Sequence, residues 1–95
     1  MVMAVPNLRA VRDGEARVIV TYGGESGDLV DPVNANTTHE EVLRMAQEAL
    51  RTGGVHGLGA IPNADLTGFV VDPVPPSPEF PYVKLLVRTK TAFGA

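Results

Sequence analysis

The stretch NTTHEEVLRMAQEALRTG, residues 36–53, predicts one amphipathic helix around which the rest of the chain can be interpreted. Thr38 is followed three residues later by Glu41, the spacing of a capping box. In that motif the threonine hydroxyl accepts a backbone N–H, and the glutamate side chain reaches back to the cap. Thr37 and Glu40 offer the same pairing one residue earlier. The helix is therefore expected to begin at this pair of threonines.

A single apolar stripe runs along the predicted helix, and two glycines follow it. The stripe follows the i, i+3, i+4, i+7, i+8 spacing of one helix face and consists of Val42, Met45, Ala46, Ala49 and Leu50. Gly53 and Gly54 supply the left-handed backbone conformation that commonly ends a helix. Because only one face is apolar, the remaining elements must form the surface on which the helix packs.

Composition limits the classes of protein that the chain can be. Ninety-five residues make one domain that can bury a core without disulfides. The net charge of −3 argues against non-specific nucleic-acid binding, which needs an excess of cations. The absence of cysteine removes thiol chemistry and fits a reducing compartment. No apolar run is long enough to span a membrane, so a cytoplasmic protein with no membrane contact is expected.

Two strands are predicted before the helix. Residues 17–22, RVIVTY, are rich in β-branched residues, with Val18 and Val20 on one side of the strand. Residues 23–28, GGESGD, are interpreted as a turn, and residues 29–33 as the second strand of a hairpin. Pro32 cannot donate to a ladder, so this second strand should be an edge strand or be bulged there.

Two further strands are predicted after the helix. Residues 66–72 suggest a short strand, and residues 73–81 carry five prolines and are expected to form an extended surface connection. Residues 82–91, YVKLLVRTKT, form the second strong strand pattern. Its inward positions are Val83, Leu85, Val87 and Thr89, and its outward positions are Lys84, Leu86, Arg88 and Lys90.

The order of these elements predicts an α+β fold with a mixed sheet of about four strands packed on one main helix. The helix is long enough to cross the sheet, so that the last strand can lie parallel to the first in its centre. The domain is assigned to residues 16–91, with an N-terminal arm at 1–15 and a C-terminal tail at 92–95.

This layout resembles the ubiquitin-like, or β-grasp, family over residues 16–91. The resemblance rests on spacing: RVIVTY begins about 21 residues before the helix cap, and Val42 and Ala46 keep the family's i, i+4 spacing. It implies a small non-catalytic protein that binds protein partners through the outward face of the last strand. Modifiers of this family end in Gly-Gly, whereas this chain ends TAFGA, with Phe93 and Gly94 as tail candidates. Adaptor and modifier roles both remain open.

Residues with catalytic or metal-binding potential are few and scattered. Two histidines, His39 and His56, cannot complete a zinc site, which needs three or four ligands. Ser26 and Ser77 have no adjacent base that would make them nucleophiles. Neither glycine cluster, GGESGD or GGVHGLG, precedes a helix as a phosphate loop must. The sequence therefore predicts no enzyme and no cofactor, catalytic or metal site.

The outward residues of the last strand have two interpretations. They form either an ordinary solubilising face with one exposed leucine, or a partner site with apolar Leu86 at its centre and a basic rim of Lys84, Arg88 and Lys90. The Pro-x-x-Pro spacings of residues 73–81 can dock in an aromatic groove, although a stiff connection explains them better. A different class of function is an assembly subunit of a phage or mobile element that forms oligomers.

Overall fold

In a computed structural model, which describes residues 8–90, one helix packs on a mixed six-stranded sheet. The α+β class is therefore confirmed, and the predicted count of about four strands is too low. The elements in chain order are β1 (Glu15–Tyr22), β2 (Glu25–Leu29), β3 (Val33–Asn34), α1 (His39–Thr52), β4 (Val55–His56), β5 (Phe69–Val74) and β6 (Val83–Thr89). The two additional strands, β3 and β4, have two residues each. Pairings this short leave no periodic signal in a sequence.

Helix α1 begins and ends at the predicted caps. The Thr38 hydroxyl accepts the backbone N–H of Glu41 at 3.2 Å, so the later of the two possible caps is the one used. Only half of the capping box forms, because the Glu41 carboxylate pairs with Arg44 instead of returning to the cap. That ion pair lowers the pKa of Glu41 below its ordinary value. Gly53 ends the helix with φ 84°, in the left-handed region that glycine favours.

The first hairpin turns more tightly than the sequence predicts. Gly23 and Gly24 have φ of 61° and 86°, the pair of positive values that a two-residue type I′ turn needs. The second strand therefore resumes at Glu25, and the interpretation of residues 23–28 as one turn is wrong. The later glycine of that stretch, Gly27, lies inside β2, where a Cβ would be 2.5 Å from the His56 carbonyl oxygen.

The second half of the hairpin is interrupted at residues 30–32. Pro32 is buried but lies between β2 and β3 rather than within a strand, so the predicted strand at 29–33 is wrong. The interruption itself is what a proline without an N–H should produce. Val30 instead bonds outside the ladder: its N–H donates to Gly54, and its carbonyl accepts the N–H of Arg9.

The first and last strands are parallel neighbours in the centre of the sheet, as predicted. Residues Ala16 to Val20 of β1 pair in register with Val83 to Val87 of β6. The strand order is β4-β2-β1-β6-β5, with β3 pairing separately with β1. The hairpin partner β2 and the edge strand β5 are antiparallel to their central neighbours.

One face of this sheet, which we call the covered face, packs against α1. Its strand residues are apolar and buried, and among residues 8–90 no polar side chain is buried with them. The helix contributes Val42, Ala46 and Leu50, all fully buried, at the predicted i, i+4, i+8 positions. The buried strand residues on the covered face include Ala16, Val18, Val20, Leu29, Val71, Leu85 and Val87.

The proline-rich connection is shorter and more structured than expected. Pro73 belongs to the edge strand β5, where it pairs with Leu85, so the predicted extended segment at 73–81 begins too early. Ser77 and Phe80 exchange backbone hydrogen bonds of 2.8 and 3.0 Å. They close a tight turn over Pro78 and Glu79, and this turn makes β5 and β6 a hairpin.

Candidate partner-binding surface

Side chains alternate along each strand, so the residues between the buried ones form a second face of the sheet. We call it the open face, because α1 packs on the opposite side. Register places Ile19 beside Leu86, with Asp28 and Asp72 as their outer neighbours. The strand residues of the open face are Glu15, Arg17, Ile19, Thr21, Ser26, Asp28, Asn34, His56, Val70, Asp72, Val74, Lys84, Leu86 and Arg88.

An apolar patch lies in the middle of the open face. Ile19, Leu86, Val70 and Val74 come from three adjacent strands, and all four are partly buried. Arginine and lysine side chains lie beside them on the same face, and the aliphatic stems of such side chains commonly cover apolar surface. The sequence indicated Leu86 but not the other three. Register places Ile19 directly beside Leu86, whereas Val70 and Val74 lie diagonally from Leu86, on either side of Asp72.

The charges around this patch are partly neutralised by each other. Arg88 forms an ion pair with Asp72 on the adjacent strand, and each side chain is 43% exposed. Arg17 uses its guanidinium to donate to two backbone carbonyls, those of Arg9 at 2.6 Å and Leu29 at 3.3 Å. The predicted basic rim is therefore less basic than its three outward cations suggest, because Arg88 already has a carboxylate partner.

Lys84 makes a contact that the sequence did not indicate. Its Nζ lies 4.4 Å from the centroid of the Phe80 ring, within the range of a cation–π interaction. Phe80 is 46% exposed and Tyr82 is 37% exposed. Among the large hydrophobic side chains of residues 8–90, these two are the exposed ones, and both lie next to the start of β6.

The remaining predicted partner-binding residues are placed as follows. Lys90 follows the end of β6 and is exposed. Phe93 and Gly94 lie outside the described residues. The surface that the structure assembles is therefore Lys84, Leu86 and Arg88 from the prediction, joined by Ile19 and Arg17 from β1.

The rest of the described surface includes a groove and has no cluster of metal-binding side chains. An open groove of about 620 Å³ lies between α1 and residues 29–32, with Met45 and Ala49 on its helical side. His39 lies at the start of α1 and His56 in β4, on separate elements. Within residues 8–90, no three His, Asp or Glu side chains are grouped to hold a metal ion. In the same range, no helix has the length and apolar character needed to cross a bilayer.

One hydrogen-bonded aromatic contact lies away from the open face. Tyr22 stacks on Phe69 with ring centroids 5.7 Å apart, and its hydroxyl accepts the backbone N–H of Asp65 at 3.2 Å. Asp65 accepts hydrogen bonds from the Thr67 hydroxyl and backbone N–H, which lower its pKa below the ordinary value. These contacts hold the loop between β4 and β5 against the sheet and involve no unpartnered reactive group.

Comparisons with protein-family models, with curated proteins and with solved structures gave no match for this chain.

Proposed function

We propose that the chain is a small non-catalytic interaction domain, a ubiquitin-like adaptor or modifier, that binds a protein partner through its open face. The observation that carries this proposal is the patch of Ile19 and Leu86, which stand side by side at the centre of a sheet face that the helix leaves uncovered. Protein interfaces commonly have such an apolar centre with a polar rim. The rim here includes Lys84 and the Arg88–Asp72 pair.

The arrangement of strands supports the ubiquitin-like part of the proposal. The element order predicted a hairpin, then a helix that crosses the sheet, then a last strand parallel to the first. In the structure the last strand, β6, is parallel to β1 and lies between β1 and β5. The same topology serves several functions, so the assignment of role depends on the surface and not on the fold.

Affinity capture from the host lysate tests the proposed surface. Leu86→Glu places a carboxylate in the centre of the apolar patch and should reduce recovery of the partner by about tenfold or more. Asn63→Asp is the control, because it adds the same single charge at an exposed position in the loop after β4. Circular dichroism should show that both variants keep the helix. Equal recovery by wild type and Leu86→Glu would remove the open face as the interface.

Incubation with host lysate and ATP separates a modifier from an adaptor. A modifier should form covalent adducts of higher mass, and these should vanish when Gly94 and Ala95 are deleted. An adaptor should keep its mobility in both forms while still capturing its partner.

The alternative of an assembly subunit is tested by light scattering. An interaction domain should scatter as a 10.0 kDa monomer at every concentration, whereas an assembly subunit should grow with concentration. The exposed edge of the sheet favours the monomer, because Pro73 removes an N–H from β5 that the addition of another strand would use.

A further inference from the structure

Two cations stand directly beside each other at one end of the open face. Arg17 of β1 and Lys84 of β6 are register partners in the parallel pair, so their side chains leave adjacent strands on the same face. Like charges opposite each other in neighbouring strands do not stabilise a sheet. The sheet therefore gains no ion pair from these two positions.

Neither cation is neutralised by a carboxylate among residues 8–90. Arg17 donates to the carbonyls of Arg9 and Leu29, which are dipoles and carry no net charge. The Lys84 ammonium lies over the Phe80 ring, which attracts it without cancelling its charge. The ion pairs in this range involve Arg9, Arg44 and Arg88 instead.

Exposed aromatic surface adjoins these two charges. The Ser77–Phe80 turn positions Phe80 against Lys84, and the residue as a whole remains 46% exposed after that contact. Aromatic and arginine side chains are enriched where protein interfaces concentrate their binding free energy. We call Arg17, Phe80 and Lys84 the basic corner.

We propose that the basic corner docks an acidic peptide segment of the partner protein, with its carboxylates between Arg17 and Lys84 and an apolar side chain against Phe80. Charge complementarity selects this occupant: a chain of net charge −3 concentrates two carboxylate-free cations at this one place. A carboxylate there would form charge-assisted hydrogen bonds with these cations, and the aromatic ring would exclude water from the contact. The inference rests on the proposed function and names the chemistry of the partner.

Titration of the ¹⁵N-labelled chain with two matched peptides tests the basic corner. The probes are acetyl-Glu-Leu-Glu-Leu-Glu-amide and its neutral counterpart acetyl-Gln-Leu-Gln-Leu-Gln-amide. The acidic peptide should shift the amide signals of Arg17 and Lys84 with a Kd of about 1 mM or tighter, and added salt should weaken it. The neutral peptide should bind at least about fivefold more weakly.

Two substitutions locate the binding. Lys84→Gln should weaken the acidic peptide by about fivefold, whereas Lys90→Gln, which removes the same charge beyond the other end of β6, should leave its Kd unchanged. Both positions are at the surface, and unchanged amide signals from α1 verify that each variant is folded.

Three outcomes would overturn the inference. Equal affinity for the two peptides would show that the apolar patch binds without the cations, and the open face would survive as the interface. Acidic-peptide shifts confined to α1 would place the site elsewhere. Shifts at Arg17 and Lys84 that depend on protein concentration before peptide is added would identify a second copy of the chain as the occupant. Failure of the proposed function would show in a different experiment. In the affinity capture, Leu86→Glu would then recover the partner as well as the wild type does.

Discussion

The two faces of the same sheet differ in how completely their residues are used for folding. On the covered face, Val18, Val20 and Val87 are fully buried against α1. On the open face, the residues between them in the sequence, such as Ile19 and Leu86, stay partly buried and adjoin charged side chains. The alternation of a strand thus divides one segment into residues that are buried in the core and residues that stay partly exposed on the other face.

This division explains why the two faces tolerate different chemistry. A buried apolar side chain contributes about 1.5–3 kcal/mol to folding, so the covered face admits little change. The open face carries the Arg88–Asp72 ion pair and two cations without a carboxylate partner, Arg17 and Lys84. A close-packed core excludes such charges, because burying an unpaired charge costs too much free energy. Substitutions on the covered face should therefore lower the free energy of unfolding, whereas substitutions on the open face should change it little.

The largest expected difference lies between two adjacent leucines. Leu85 is 3% exposed on the covered face, so Leu85→Ala should cost about 3 kcal/mol of the free energy of unfolding. Leu86 points to the open face, and Leu86→Ala should cost about 1 kcal/mol or less. Urea denaturation followed by circular dichroism measures both. Similar losses at the two positions would mean that the open face is part of the core.

A glycine tests how closely β2 and β4 are packed. A Cβ at Gly27 would lie 2.5 Å from the His56 carbonyl oxygen and 2.8 Å from a Val55 methyl group, so Gly27→Ala should cost about 2 kcal/mol. Gly59 has open space around it and no positive φ, and Gly59→Ala should change stability little. Equal urea midpoints for the two variants would contradict the close approach of these strands.

The helix that creates the difference between the faces depends on its cap. Thr38→Ala removes the acceptor for the Glu41 N–H and should cost about 1 kcal/mol. Thr38→Asn keeps a side-chain oxygen at the cap and should recover most of that loss. Thermal unfolding measures both variants. Equal melting temperatures for the alanine and asparagine proteins would disprove the capping role.

The smallest effect is expected from the ion pair on the open face. Arg88 and Asp72 are each 43% exposed, so water screens their attraction. A double-mutant cycle with Arg88→Gln and Asp72→Asn should give a coupling of about 0.5 kcal/mol that salt reduces. A coupling several times larger would show that the open face contributes to stability as the covered face does.

The helix and the central strands could be predicted because their signals are local. Thr38, Gly53 and the apolar spacing of α1 lie within one segment, and the alternation in residues 82–91 predicted which side chains of β6 face inward. The end of the first turn could not be predicted, because the glycines of residues 23–28 suggest a long turn, whereas Gly23 and Gly24 alone complete it.

Of the residues in the candidate site, the sequence predicted only those of β6. Leu86 and Arg88 could be assigned outward from alternation, but Ile19 and Asp72 reach them through register with β1 and β5. The β1–β6 register joins segments that are far apart in the sequence, and the β5–β6 register depends on the geometry of the connecting turn, so neither can be seen within one segment. The contact of Phe80 with Lys84 likewise depends on the Ser77–Phe80 turn within a segment that was expected to be extended.

The proposed binding through the open face is tested most directly by adding a captured partner to the ¹⁵N-labelled chain and recording which amide signals shift. Binding through the open face should perturb the amide signals around Ile19 and Leu86 in β1 and β6 while leaving those of α1 in place. Perturbations confined to α1 and its adjoining groove, with Ile19 and Leu86 unchanged, would contradict the account.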